Sequence, residues 1–409
     1  MFQSSQPQGD NLAQLKAGKL QGIKQLKLCC GLTEFPPEIF DLADSLEILD
    51  LTGNALSDLP SDLNRLKKLR ILFCSSNQFT HLPEVLGECQ HLSMIGFKAN
   101  KISHIAESAI PTKTLRWFIV TDNALKSLPN SLGDCEKLQK LMLAGNQLST
   151  LPSSMVNCTN LELLRISANQ FNSLPDFLFD LPKLTWLAYA GNPFCNDIEQ
   201  QLASQHQIKS IDWQTLTIQQ QLGKGASGIT YQAILQNQGQ QEPVAVKLFK
   251  SDLTSDGLPR CEMHANVLAG EHPHLIGIKG TVTNHPLGML GLVMPLLDAN
   301  LTVLAEPPNF ETCTRDVYKK IKLTPDEVDH ILNGVTLAAK HLHARGLMHG
   351  DLYAHNILFN VDKVVLSDLG GASFLPLNNP ALTQNLLMLE ARALAVLQQE
   401  LHHLCLKSP

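Results

Sequence analysis

Asn54, Asn77, Asn100, Asn123, Asn146, Asn169 and Asn192 each follow the previous one by 23 residues, a spacing that chance does not produce. Leu46, Leu69, Leu92, Leu115, Leu138, Leu161 and Leu184 precede them by eight, and Leu-Pro pairs recur from Leu59-Pro60 to Leu174-Pro175. The unit reads L-x-x-L-x-L-x-x-N-x-L-x-x-L-P. It describes a short strand, an Asn whose amide can bond the backbone of neighbouring coils, and a return packed by Leu. One coil cannot bury its own apolar face, so a chain with this period must stack its coils.

The segment resembles leucine-rich repeat proteins, and the resemblance implies a solenoid of about eight coils over residues 20–206, after an N-terminal segment 1–19. The first coil, LKLCCGLTEFP, has Cys30 and Gly31 where Asn is expected, which suits a cap; Gly191-Asn192-Pro193-Phe194 closes the array. Strand alternation predicts two columns on the concave face. Phe73, Met94, Trp117, Ile119, Met142 and Trp186 fall in them, and together they predict an exposed apolar patch that binds a protein partner.

The period ends before Trp213, after a linker at 207–212. There Gly223, Gly225 and Gly228 interrupt a β-rich run and lie between two strands, which favours a hairpin lid over phosphates. Nineteen residues past Gly228, Val244-Ala245-Val246-Lys247 is an alternating strand ending in a cation suited to α- and β-phosphates, and Glu262 on a following helix can pair with it. His349, Asp351 and Asn356 follow, then Asp368-Leu369-Gly370 after the apolar run VVLS. The five-residue spacing of Asp351 and Asn356 matches that of a catalytic loop in which a base lies near an incoming hydroxyl and an amide oxygen near Mg²⁺.

Residues 213–409 resemble a eukaryotic-type protein kinase domain with a short activation segment and a shortened C-terminal lobe. With the repeats, the chain is similar to the bacterial leucine-rich repeat protein kinase family. The implied fold is an α/β two-domain chain, a solenoid followed by a compact bilobal kinase domain. The implied activity is transfer of phosphate from ATP, with Mg²⁺, to protein Ser or Thr. The resemblance casts Lys247 as the ATP-orienting cation, Glu262 as its partner, Asp351 as the proton acceptor, and Asn356 and Asp368 as metal ligands. Leu222, Gly223, Gly225, Gly228, Thr230, Ala245, Met294, Leu296 and Leu358 would surround the nucleotide, with adenine between Ala245 and Leu358.

Three departures from the family pattern bear on activity. Gly350 stands where Arg is usual, which argues against control by a phosphorylated loop; Tyr353 stands where Lys is usual, which argues for slow transfer; and Leu369 replaces Phe, a mild exchange. Only 22 residues separate Asp368 from Glu390, with no Ala-Pro-Glu between. These features keep open a pseudokinase scaffold that binds nucleotide without efficient transfer, and a small-molecule kinase.

Composition narrows the remaining classes. The 409 residues fit two to three domains, and 44% apolar with 17% charged residues is a globular balance. A net charge of -6 with no basic block argues against nucleic acid. No leader-like or membrane-spanning stretch is evident, so a cytoplasmic protein without membrane contact is expected. Of ten cysteines, Cys89, Cys135 and Cys158 share one position of the repeat, which suits small buried hydrophobes and reduced thiols.

Overall fold

The computed structural model describes residues 10–205, 209–225, 227–237, 239–319 and 321–405. Residues 1–9 of the expected N-terminal segment, residues 206–208 at the end of the repeats and start of the linker, and residues 406–409 of the expected kinase domain lie outside the described residues. The chain forms two compact units: Met1–Leu164 with Asn169–Leu184, and Arg165–Ala168 with Thr185–Pro409.

After α1 (Asp10–Lys16), the repeat period generates β1 (Gln25–Lys27), β2 (Ile48–Asp50), β3 (Ile71–Phe73), β4 (Met94–Gly96), β5 (Trp117–Ile119), β6 (Lys140–Met142), β7 (Leu163–Arg165) and β8 (Trp186–Ala188), in chain order in one sheet. α2 (Phe177–Asp180) and α3 (Pro193–Gln205) flank the last strand. In the first unit each repeat Asn does what its spacing predicts. Asn146 Nδ2 donates to the Val120 and Leu143 carbonyls, both at 2.9 Å, and its Oδ1 accepts from the Leu125 amide at 3.1 Å. Asn77 repeats this with Leu51, Cys74 and Leu56. The residue before the Asn adopts a left-handed backbone: Gly53 and Gly145 do so without steric cost, Ser76, Ala99 and Asp122 against it. Cys89, Cys135 and Cys158 are free and buried, and burial pushes the Cys89 and Cys158 thiols up to about 11 and Cys135 to about 12.

The strand columns form in the expected register, with Met94 opposite Trp117 and Phe73 opposite Gly96. Their exposure does not follow. Met94 is 1% exposed, Met142 8% and Trp186 2%, whereas Phe73, Trp117 and Ile119 are half-buried. Parallel strands stand about 4.8 Å apart, so side chains of one column cover one another, and Trp186 is in addition covered by the stacked Tyr353 ring. The Phe73 ring lies so close over Gly96 that a Cβ there would meet it at 2.4 Å, and Lys140 Nζ sits 4.2 Å from the Trp117 ring centre. The expected contiguous exposed patch is therefore reduced to Phe73, Trp117 and Ile119.

In the second unit, β9 (Ser210–Asp212), β10 (Leu216–Lys224), β11 (Gly228–Asn237), β12 (Gln240–Phe249), β13 (Gly280–Thr283) and β14 (Gly291–Pro295) form a sheet in the order β10-β11-β12-β14-β13-β9. All neighbours are antiparallel except β13 and β9. Alternation along β12 sends Val244, Val246 and Leu248 into a core with Ala233, Leu235 and Val293, so Ala245 and Lys247 take the other face. α4 (Pro259–Ala269) follows β12. The remaining elements are β15 (Thr302–Val303), α5 (Pro325–Ala344), β16 (Leu347–Met348), β17 (Ile357–Phe359), β18 (Val364–Leu366), β19 (Ser373–Phe374) and α6 (Pro380–Leu404). A capping box of Thr324 and Glu327, with Pro325 in the first turn, starts α5. β15, β17 and β18 form one small sheet, and β16 pairs with β19.

Candidate active site

The unbonded face of β12, the hairpin of β10 and β11, and β17 enclose a cleft of about 650 Å³. Leu222, Gly223, Gly225, Gly228, Thr230, Ala245, Lys247, Met294, Leu296 and Leu358, the whole expected nucleotide set, line it. A Cβ at Gly223 or Gly225 would meet nothing within 4 Å, so these glycines keep backbone bare toward open space. Gly228 has a different reason, since a Cβ there would lie 2.5 Å from the Leu248 carbonyl oxygen. Leu275, Ile276, Val303 and Ala305 also line the cleft; sequence reasoning missed them because no motif marks apolar wall residues on separate elements.

Lys247 Nζ lies 2.5 Å from Glu262 Oε1 and 3.4 Å from Asp368 Oδ1, joining β12, α4 and the segment after β18. Burial acts to lower the Lys247 pKa, but Asp368 and Glu262 outweigh it and hold the ammonium charged. Burial pushes the Glu262 carboxyl up to about 7 in spite of Lys247. Lys247 instead holds Asp368 below the ordinary carboxylate range, with the Gly370 amide adding a hydrogen bond at 3.1 Å.

Asp351 and Asn356 lie on the loop between β16 and β17. Asn356 Nδ2 donates to the Asp351 carbonyl at 2.9 Å and lies 3.4 Å from Asp351 Oδ2, which leaves the amide oxygen as the atom available to a cation. Ser367, beside Asp368, donates from its amide and hydroxyl to the Asn356 carbonyl, both at 2.8 Å. An amide oxygen and a carboxylate that is 46% exposed are hard oxygen donors of the kind Mg²⁺ takes when phosphates and water complete its shell, so the residues fit that ion. His355, which the motif does not mark, pairs through Nδ1 with Asp316 at 2.7 Å; burial works to lower its pKa, and Asp316 raises it.

The departure at Gly350 has a steric cause. Its φ is +69°, and a Cβ would meet the Gly371 oxygen at 2.3 Å and the Leu187 oxygen at 2.8 Å. Its amide donates to Glu390 Oε1 at 2.9 Å, and Glu390 also pairs with His343. Glu390 is 1% exposed and lies ten residues into α6, not at its start. Tyr353 does not point into the cleft either: it is 4% exposed and its ring stacks on Trp186 with centroids 4.0 Å apart. From Asp368 the chain passes through β19 directly into α6, and the one hydroxyl between them, Ser373, is buried and accepts from the Tyr189 amide at 3.0 Å. Among the described residues no helix is long and apolar enough to cross a membrane.

Comparison with known proteins agrees with this geometry. The family described as protein kinase domain matches residues 216–390, and the leucine rich repeat families match 136–194 and 45–66. Serine/threonine-protein kinase PknF of Mycobacterium tuberculosis is 30% identical over 39% of this chain and 32% of its own length. Mitogen-activated protein kinase 15 of Xenopus laevis is 32% identical over 42% of this chain and 28% of its own length. The chain thus spans less than a third of the length of these relatives. Among solved structures, a leucine-rich repeat protein of Leptospira interrogans aligns over 46% of this chain and 49% of its own, at 27% identity and a TM-score of 0.42.

Proposed function

From a chain in which leucine-rich repeats precede a protein kinase domain, we infer an ATP-dependent protein kinase, acting on Ser or Thr, whose repeats bind a protein partner or substrate. The observation that carries this reading is Lys247 held between Glu262 and Asp368 at the wall of a cleft sized for a nucleotide. We assign residues 20–206 to the repeats and 213–409 to the kinase domain.

Ala245, Leu358, Met294 and Leu296 would hold the adenine, and the hairpin glycines would let backbone amides approach the phosphates. Lys247 would orient the α- and β-phosphates, kept in place by Glu262. Bound at Asn356 and Asp368, Mg²⁺ supplies neutralisation of phosphate charge. Asp351 would accept the proton of the attacking hydroxyl as its oxygen bonds the γ-phosphorus and the bond to the β-phosphate oxygen breaks, leaving ADP. With Ser373 buried and no other hydroxyl in the segment, control by phosphorylation of that segment has no site. The half-buried Phe73, Trp117 and Ile119 remain the repeat residues offered to a partner in the cytoplasm.

The purified chain with Mg²⁺ and ATP should show a raised melting temperature that Lys247→Met and Asp368→Asn each diminish. Incorporation of labelled phosphate should disappear in Asp351→Asn while the thermal shift stays. A second reading, a scaffold without efficient transfer, draws on Tyr353, whose ring is stacked away where a cation would otherwise serve the phosphate. A thermal shift without any labelled product from the unmutated chain would favour it.

A further inference from the structure

We propose that Arg165 is the positioning residue of Asp351, an assignment that rests on Asp351 being the proton acceptor. Arg165 ends β7 and belongs to the same compact unit as the cleft. Its side chain is 2% exposed, and its three nitrogens are committed in three directions. Nη2 bonds Asp351 Oδ1, Nη1 donates to the Gly350 carbonyl at 3.0 Å, and Nε donates to Asp256 Oδ1 at 3.1 Å.

Each bond constrains a different part of the loop. The contact to Gly350 fixes the backbone immediately before Asp351, and the contact to the carboxylate fixes its rotation. Asp256, on the segment between β12 and α4, fixes the guanidinium itself. A planar fork held at all three nitrogens cannot turn without breaking a bond that is shielded from water, where such breaks are costly.

Neither Gly350 nor Tyr353 supplies this cation. Gly350 admits no side chain, because a Cβ would strike two carbonyl oxygens. Tyr353 is turned onto Trp186, whose indole nitrogen donates to the Leu352 carbonyl at 3.2 Å and so holds that arrangement. On its other side Asp351 has Asn356 Nδ2 3.4 Å from Oδ2, and its amide donates to His349 Nδ1 at 3.3 Å. Without Arg165, Asp351 and Asp256, whose side chains are 16% and 21% exposed, would lose the charge that both of them bind.

Arg165 does not line the nucleotide cleft. Its loss should therefore act on transfer and spare ATP binding. In the full chain, Arg165→Met is expected to lower kcat for autophosphorylation roughly 10- to 100-fold, with KM for ATP and the Mg·ATP thermal shift little changed. Arg165→Lys should recover part of kcat, since one ammonium restores the charge but not the three-way geometry. If Arg165→Met does not fold, Arg165→Lys carries the test alone, and kcat must fall with KM held.

Wild-type kcat in Arg165→Met or Arg165→Lys overturns the proposal. So does a rise in kcat, which would make Arg165 a block on Asp351, and so does a loss confined to KM or to thermal stability. Failure of the kinase reading is separable because it is seen in the unmutated chain: no transfer, or transfer that survives Asp351→Asn, removes both assignments before any Arg165 variant is measured.

Discussion

Replacing Gly350 by Ala tests whether the loop glycine is a steric requirement of this fold. The native φ of +69° costs an L-residue about 1–2 kcal/mol. The new Cβ would also lie 2.3 Å from the Gly371 oxygen and 2.8 Å from the Leu187 oxygen, both backbone atoms that cannot swing aside. Relieving such overlap typically costs about 1–3 kcal/mol, so the expected loss is on the order of 2–5 kcal/mol. At about 2–4 °C per kcal/mol for a unit of this size, the melting temperature should fall on the order of 10 °C. Gly288→Ala is the control: its φ is +67° and a Cβ meets nothing within 4 Å, so it carries the backbone cost alone. Urea unfolding of both variants beside the unmutated chain gives the comparison, with equal m-values showing that the same transition is measured. If Gly350→Ala is no less stable than Gly288→Ala, the contacts assigned to the loop are wrong, and Gly350 is a tolerated departure instead of a required one.

Two further outcomes follow from the buried polar groups. Glu262 has its carboxyl raised to about 7 from 4.5, chiefly by burial, so its protonation favours the folded state. That contribution is complete below about pH 4.5 and is lost as pH rises through about 7; Glu262→Gln should flatten this slope in urea midpoints taken from pH 5 to 8, and an unchanged slope would refute the assignment. Asn146→Ala removes two donors and one acceptor between buried backbone groups, and should cost roughly 2–4 kcal/mol in calorimetry, whereas a loss under 0.5 kcal/mol would deny the ladder its structural role.

Legibility in the sequence followed the range of the interactions. The Asn period and the alternation of Val244-Ala245-Val246-Lys247 are local patterns, and local geometry alone makes them what they are. Of the cleft lining, Ala245 and Lys247 were legible for the same reason, because they share one face of one strand, whereas Leu275, Ile276, Val303 and Ala305 lie on separate elements and were not. Arg165 was not legible. In sequence it is one more member of a strand column, and only the fold brings it to Gly350, Asp351 and Asp256. The burial of Met94, Met142 and Trp186 was missed for a related reason: alternation tells which face a side chain takes but not what lies over that face.

The Asn ladder also sets how the array can change length. From Asn77 to Asn146 each amide reaches carbonyls 26 and 3 residues before it, as Asn123 does to Phe97 and Val120, while its oxygen serves an amide 21 residues before, as with Ile102. Each of these coils is thus bonded through its successor's side chain. Such a ladder has translational symmetry. Duplicating or deleting one whole 23-residue unit between Asn77 and Asn146 leaves every donor matched to an acceptor, while a change of one residue leaves a row of them orphaned. Length of the array is therefore free to vary in genetic steps of one coil, and frozen against any smaller step.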